Sequence, residues 1–257
     1  MVSFFIKKAF FDGWDHLFSL VLLNGVFVVL AALGLFLPGL FGAGSPGFYA
    51  SLVVVVLLGS MWWSVCVHGL VRIADYGTLE IREMPGIIKT AILPGIQYGV
   101  LSIVALLAFI VGLPFYLSRG GIAAALAAGL LLWGGIFFVL AFQWYLPLRA
   151  RLGGGFAKNL RKSFVFFFDN ALFSIFLFVY NAIGALLSAV LAFLLPGLAG
   201  LALALDDALR LRLYKYDWLE ANPGAKRNAI PWDSLLEEDR ELVGKRTIKN
   251  MIFPWKY

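Results

Sequence analysis

The segment that decides the fold runs from Leu17 to Val71 and reads LFSLVLLNGVFVVLAALGLFLPGLFGAGSPGFYASLVVVVLLGSMWWSVCVHGLV. It contains no Lys, Arg, Asp or Glu. A helix that crosses the hydrocarbon core of a bilayer needs about 20 mainly apolar residues, so this segment is long enough for two. Pro38-Gly39 and the glycine-rich GAGSPG stretch that follows favour a turn between them. We therefore predict two membrane spans, Leu17–Leu37 and Phe48–Val71.

Three further stretches also have no charged side chain: Thr90–Ser118, Gly120–Leu148 and Asn170–Leu205. The composition agrees, since 61% of residues are hydrophobic, 14% are charged and the mean hydropathy is +0.89. The long uninterrupted stretches are typical of helices, whereas barrel strands show alternating segments of about ten residues. The sequence therefore predicts an all-α, polytopic transmembrane helix bundle.

The later stretches supply four more predicted spans. Ser118-Arg-Gly-Gly121 separates span three, Ala91–Leu117, from span four, Ile122–Leu146. The region after Phe164 holds about two span lengths but has no strong turn signal in its middle. We divide it at Tyr180–Gly184 and expect Pro196 to kink the last helix. Spans five and six are then Phe164–Val179 and Ala185–Leu205.

The basic residues predict the orientation. All 21 Lys and Arg residues except Arg119 lie before span one, between spans two and three, between spans four and five, or after span six. Basic segments near span ends stay on the cytoplasmic side. Six spans with both termini in the cytoplasm satisfy this rule, whereas five spans would export the basic C-terminal tail.

The chain divides by composition into a transmembrane domain, residues 1–213, and a cytoplasmic tail, residues 214–257. Ser234 followed by Glu237 resembles a capping box at the start of a short amphipathic helix, and Gly244 suits its end. The apolar side chains of the tail can dock a partner or pack under the protein's own bundle, and we favour the second. The candidate docking residues are Leu235, Leu236, Leu242, Ile252, Phe253 and Trp255.

Four amide side chains lie within the predicted spans: Asn24, Gln97, Gln143 and Asn181. An amide in hydrocarbon needs a hydrogen-bond partner, so each is expected to face another helix. Their ordinary role is to join helices. The alternative is that they line a pathway for a neutral solute.

Motifs for catalysis or metal binding are missing from the sequence. Cys66 and His68 supply only two ligands, and neither a His-Glu-x-x-His motif nor a Walker-type phosphate loop occurs. No acidic residue lies in the middle of a predicted span, which argues against an ion-coupled carrier. Asp169-Asn170 and Asp206-Asp207 are expected to form a structural cluster with the basic Arg149–Lys162 loop. We predict a non-enzymatic protein without a cofactor, a metal or a nucleic-acid partner, the net charge of +6 being explained by the cytoplasmic segments.

Several short motifs are similar to those of a known family. They are Leu22-Leu23-Asn24 with Pro38 about one span later, Tyr145-Leu-Pro-Leu-Arg-Ala-Arg-Leu152, Phe156-Ala-Lys-Asn-Leu-Arg-Lys162 and Leu195-Pro-Gly-Leu198. With them the chain resembles the DUF624 (YesL-like) family of bacterial membrane proteins. The resemblance implies a multi-pass protein of the bacterial cytoplasmic membrane, in a family suspected of assisting carbohydrate uptake, and it implies no catalytic residues.

Two functions from different classes follow as hypotheses. The first is an accessory or assembly partner of a membrane system, whose own partners are the bilayer and another membrane protein. The alternative is a transporter or channel for a small neutral solute. A membrane enzyme is the third and least favoured class.

Overall fold

The structure is a computed structural model and describes residues 1–226 and 229–246. These residues form helices joined by turns and loops, with no strand among them. The α-helices are α1 (Val2–Asp15), α2 (Leu17–Gly39), α3 (Pro46–Ala74), α4 (Met84–Leu107), α5 (Leu113–Arg119), α6 (Gly121–Phe142), α7 (Tyr145–Leu152), α8 (Phe156–Asp169), α9 (Ala171–Val190), α10 (Gly197–Ala221), α11 (Trp232–Leu235) and α12 (Glu237–Val243).

Five of these helical segments are long and apolar enough to cross a membrane. They are Leu17–Gly39, Pro46–Ala74, Ile81–Arg119, Gly121–Leu152 and Ala171–Val190. The all-helical class and the membrane assignment are therefore confirmed at this level. A sixth segment that meets the same criteria is missing from the described residues, because α10 contains too many charged side chains.

The turn between α2 and α3 forms where the glycine-rich stretch predicts it. Ser45 caps α3, since its Oγ accepts a hydrogen bond from the Phe48 backbone N–H at 3.2 Å. Pro46 occupies the first turn of the helix, where the missing N–H costs nothing. Both predicted spans of this region correspond to helices.

Glycines let α4 approach α3 closely. A Cβ atom on Gly95 would lie 2.6 Å from the Met61 Cα atom, and one on Gly99 would lie 2.9 Å from the Ser60 side chain. Small residues at such positions allow the helix backbones to make dense van der Waals contact within a bilayer. The long helix then continues through a π-helical turn, Ala108–Gly112, into α5.

The predicted division of the last apolar region is wrong. α9 runs without a break through Tyr180–Gly184, and the turn lies instead between Val190 and Gly197. Pro196 precedes α10 and does not kink it. The region just before α9 is a separate amphipathic helix, α8, that ends at Asp169.

The reason for this error is the burial of charge in α10. Asp206 and Asp207 are both fully buried, and the helix passes through them and ends only at Ala221. α10 packs against α1, α2, α3, α7 and α9, and every residue from Leu201 to Leu209 is buried. It is therefore the central helix of the bundle and not a lipid-facing span.

The α9–α10 turn lies beside the first third of α2. The side chain of Asn24 bonds to the backbone of Leu194, Pro196 and Ala199 at this turn. At 1.5 Å per residue, Asn24 is about 10 Å from the start of α2 and about 22 Å from its end. The α9–α10 hairpin consequently stops well short of the turn that joins α2 to α3.

The far ends of the outer helices therefore have few neighbours. Leu126 and Leu130 of α6 are 64% and 77% exposed. Within a membrane these exposed faces are available to lipid.

Candidate functional site

A cavity of about 450 Å³ lies among the membrane helices. Residues of α3, α4, α6, α9 and α10 and of the π-helical turn line it. Ligand pockets in proteins commonly have volumes of roughly 300–1,000 Å³ and mainly apolar walls with a few polar groups. This cavity has both properties, because its lining is mostly aromatic and aliphatic and includes two amides, Gln143 and Asn181.

Aromatic rings form one wall of the cavity. The rings of Tyr98 and Phe142 are stacked with centroids 4.4 Å apart, and Phe138 stacks on Phe142 at 4.7 Å. Trp63 of α3 and Phe178 of α9 also contribute to the lining. Packed rings hold their positions well, so the cavity has a preformed shape.

Gln143 presents an unused acceptor. Its Nε2 donates to the carbonyl oxygens of Leu140 at 2.8 Å and Ser174 at 3.0 Å. Two carbonyl acceptors identify this atom as the nitrogen, so the amide orientation is settled by the network. The buried Oε1 has no hydrogen-bond donor in the part of the chain that the structure describes.

Asn181 is the second amide of the cavity. Its buried Oδ1 also has no donor among residues 1–226 and 229–246. An unsatisfied buried polar atom costs roughly 1–3 kcal/mol, so two of them in one cavity require an explanation. A bound molecule with a hydroxyl or N–H group would supply the missing bond.

The other two predicted amides lie elsewhere and have structural partners. Asn24 donates from Nδ2 to the carbonyls of Leu194 (3.0 Å) and Pro196 (2.9 Å) and accepts from the Ala199 N–H (2.8 Å). The Gln97 Oε1 accepts from the Tyr145 hydroxyl at 2.9 Å. The four amides therefore do not line one pathway, and only Gln143 and Asn181 share a cavity.

A buried ionic cluster lies beyond the cavity, where α1 meets α10. Lys8 is fully buried and forms ion pairs with Asp12 and with Asp207, the second at 3.1 Å. Its ammonium also lies 4.0 Å from the centre of the Tyr76 ring. Burial raises the pKa of the Asp12 carboxyl, and the neighbouring Lys8 lowers it.

Two arginines extend this cluster. Asp75 accepts from Arg151 at 3.0 Å and from Arg210 at 2.7 Å. Arg210 also pairs with Asp239 of α12 at 3.2 Å, and the Tyr76 hydroxyl donates to the same carboxylate at 2.7 Å. The cluster therefore connects α1, α7, α10 and the tail.

Lys8, the central member of this cluster, could not be identified from the sequence. The sequence predicts that Asp206-Asp207 lie near the Arg149–Lys162 loop, and Arg151 of that loop does donate to the Asp206 backbone carbonyl at 3.5 Å. Lys8, however, is predicted from the sequence only to be one of the basic residues before span one. A lysine among phenylalanines near the N-terminus is a weak signal, because one of its two acidic partners, Asp207, lies about 200 residues away in the chain.

The tail packs under its own bundle. Leu236 is fully buried and Val243 nearly so, in a cluster that includes Phe4 and Phe5 of α1. Lys7 donates to the Gly244 carbonyl at 2.7 Å, and Arg246 pairs with Asp15 at 2.8 Å. The internal packing favoured in the sequence analysis is therefore what the structure has.

The six candidate docking residues of the tail have different locations. Leu236 is inaccessible to a partner, Leu235 is half-buried and Leu242 is 55% exposed. Ile252, Phe253 and Trp255 lie outside the described residues. The predicted capping box does not form, because Ser234 lies inside α11 and donates to the Pro231 carbonyl; Gly244 ends α12 as predicted.

The histidines and the cysteine do not form a metal site. His16 and His68 contact backbone carbonyls one turn earlier in their own chain segments, and Cys66 is a buried free thiol. Within residues 1–226 and 229–246, no group of three His, Cys, Asp or Glu side chains could hold a metal ion.

Comparisons of this chain with family models, with curated proteins and with solved structures found no match. The resemblance to the DUF624 family therefore stays a prediction from the short motifs.

Proposed function

We propose that this multi-pass membrane protein binds a small, neutral, mainly apolar molecule in the cavity between α4, α6, α9 and α10, as a carrier or channel for that molecule. The observation behind the proposal is the pair of unsatisfied amide oxygens, on Gln143 and Asn181, in one aromatic cavity. This corresponds to the alternative function derived from the sequence, with two of its four amides.

The lining determines the chemistry of the ligand. None of the side chains that line the cavity is charged, so an ionic ligand would enter without a counter-charge, at high energetic cost. Both unsatisfied groups are acceptors, so the ligand should donate hydrogen bonds. A phenol, an alcohol or an amide with an apolar body fits these conditions.

Thermal unfolding of the purified protein in detergent tests this proposal with phenol and toluene as probes. A ligand that binds only the folded state raises the melting temperature. We expect phenol to raise it more than toluene, and the double variant Gln143→Leu, Asn181→Leu to remove that difference. Gln97→Leu is the matched control, because Gln97 is an amide outside the cavity lining. Equal shifts with both probes in the unmodified protein would refute an amide-based site.

The membrane topology is a second part of the proposal. We infer four crossings, by α2, α3, the long helix that ends with α5, and α6, together with a re-entrant hairpin formed by α9 and α10. Both termini then lie on one side, which the basic residues identify as the cytoplasm. Contacts of Arg246 with Asp15 and of Lys7 with Gly244 support a common side for both ends.

The chemistry of the α9–α10 turn supports re-entry. Residues 191–196 read LAFLLP, without a polar side chain, unlike the GAGSPG and SRGG turns. Leu191 and Phe193 are 54% and 49% exposed, which suits contact with lipid. Non-helical backbone at membrane depth needs internal partners. Asn24 and Ser188 provide them, since the Ser188 Oγ accepts from the Gly197 N–H at 3.0 Å.

Cysteine labelling from outside the cell distinguishes the possible topologies. In a variant without Cys66, an impermeant maleimide should label Ser45→Cys and Ser118→Cys but not Phe193→Cys. Denaturation should then expose Phe193→Cys to the reagent, which shows that the thiol is intact. External labelling of Phe193→Cys as complete as that of Ser45→Cys would establish six crossings. External labelling of Ser234→Cys would instead place the tail outside.

The accessory role, the link to carbohydrate uptake and the bacterial inner membrane remain predictions from the sequence. The internal packing of Leu236 removes one of the residues on which a docking tail would depend. Copurification from gently solubilised membranes tests the role. Recovery of the full-length chain without any stoichiometric partner would count against it.

A further inference from the structure

The Asp206 carboxyl is the least satisfied charged group of the buried cluster. It lies in the middle of α10 and is fully buried. Neither of its side-chain oxygens has a hydrogen-bond donor among residues 1–226 and 229–246. A carboxylate without a donor or a counter-ion is very costly inside a protein, and such a group normally takes up a proton.

The other carboxyls of the cluster all have partners. Asp12 and Asp207 pair with Lys8, Asp75 pairs with both Arg151 and Arg210, and Asp239 accepts from Tyr76 and Arg210. Arg151 directs Nη1 to Asp75 and Nη2 to the Asp206 backbone carbonyl, and it makes no hydrogen bond to the Asp206 carboxyl. Both oxygens of Asp207 also lack a hydrogen-bond donor among the described residues, but Asp207 has the ion pair with Lys8, whereas no described residue forms an ion pair with Asp206.

Charge balance in the connected cluster points in the same direction. Three cations, Lys8, Arg151 and Arg210, face the four buried carboxyl groups of Asp12, Asp206, Asp207 and Asp239, and two of these cations also pair with the exposed carboxylate of Asp75. An excess of negative charge in a buried site is removed by binding a cation. The elements packed around α10 direct these titratable or charged groups towards Asp206 and Asp207: Arg151 from α7, Asp75 after α3, Lys8 and Asp12 from α1, and Tyr180 from α9.

We propose that Asp206 is a proton-binding site that remains protonated at neutral pH in the folded protein. This inference is independent of the ligand proposed for the cavity. A proton suits the site better than a metal ion, because Arg151 would repel a metal and the described residues contain no group of three His, Cys, Asp or Glu side chains that could hold one. The neutral acid lets α10 pack between α3 and α7.

The proposal predicts the sign of a pH effect. If the folded state holds a proton that the unfolded chain releases near the ordinary Asp pKa of about 3.9, the folded state binds more protons above that pH. Stability then falls as the pH rises from that value towards the folded-state pKa. Asp206→Asn resembles the neutral acid and cannot lose a proton, so its stability should fall less over the same range.

Difference infrared spectroscopy of the full-length protein tests the site directly. The carbonyl band of a protonated carboxylic acid should be present at neutral pH and disappear in Asp206→Asn. Asp217→Asn is the matched control, because Asp217 is exposed on the same helix, and it should leave the band unchanged. Sodium and potassium buffers should give the same spectrum.

Three results would overturn the inference. Absence of the band from the unmodified protein would mean an ionised Asp206 paired with Arg151, whose Nε has no acceptor among the described residues. Persistence of the band in a folded Asp206→Asn variant would assign the proton to another carboxyl. Loss of the band on adding sodium would identify a cation site. If Asp206→Asn fails to fold, Asp206→Glu serves as a second variant, in which the band should shift in frequency.

Discussion

Replacement of Asn24 by leucine should be among the most destabilising single changes at a polar residue of α2. Asn24 is fully buried, and its amide makes three hydrogen bonds to the backbone of the α9–α10 turn. Leucine has a similar volume, so the change removes the bonds without leaving a large cavity. The carbonyls of Leu194 and Pro196 and the N–H of Ala199 would then have no partner at membrane depth.

The magnitude follows from the three groups left without partners. Interhelical hydrogen bonds in membrane proteins are worth about 0.6 kcal/mol on average, which gives about 2 kcal/mol for three. The cost of burying an unsatisfied group, roughly 1–3 kcal/mol, gives a larger total. Because a carbonyl can relax towards another donor, we expect Asn24→Leu to lower the unfolding free energy by about 2–5 kcal/mol.

Unfolding in mixed micelles, followed by the fluorescence of the tryptophans, measures this change. Asn181→Leu is the matched control, because the Asn181 Oδ1 has no donor in the described chain. We expect that control not to lower the unfolding free energy, because it removes a buried oxygen that has no hydrogen-bond donor among the described residues. Equal stability of the two variants would show that the Asn24 hydrogen bonds do not stabilise the α9–α10 turn.

Three further predictions concern the α9–α10 turn, the contact between α3 and α4, and the packing of α12. Gly197→Ala should lower the unfolding free energy by about 2 kcal/mol or more, because Gly197 has φ +63° and a Cβ atom there would clash with the Asn24 amide. Gly39→Ala is the control in the same unfolding assay, because a Cβ atom on Gly39 would have no neighbour within 4 Å. Gly95→Ala should cost about 1–3 kcal/mol by forcing α4 away from α3, whereas Gly86→Ala, with no neighbour within 4 Å, should not destabilise in thermal unfolding. Asp239→Asn should weaken the contacts of α12 with Tyr76 and Arg210, so limited proteolysis should cleave the tail faster than in the exposed control Glu238→Gln. An unchanged cleavage rate would argue that the Asp239 carboxylate does not hold the tail against the bundle.

The sequence by itself determined that this is a multi-pass membrane protein, and it located the first four long apolar helical segments. Long uncharged stretches specify a bilayer because the cost of a charge in hydrocarbon is a property of each residue. Turns such as GAGSPG are equally local, since Pro and Gly restrict the backbone wherever they occur. Gly244 ends α12 for the same reason.

Only the tertiary structure decided the path of the chain after Ala171, the residues of the buried ionic cluster and the residues that line the cavity. Asn24 meets Ala199 and Lys8 meets Asp207 only after the bundle has closed, across most of the chain length. A hydropathy pattern treats Asp206-Asp207 as the end of a span because it contains no information on burial or on a distant lysine. The cavity likewise depends on which face of each helix turns inward. The reason is that the burial of a charge and the satisfaction of an amide are properties of contacts, and contacts exist only in the folded chain.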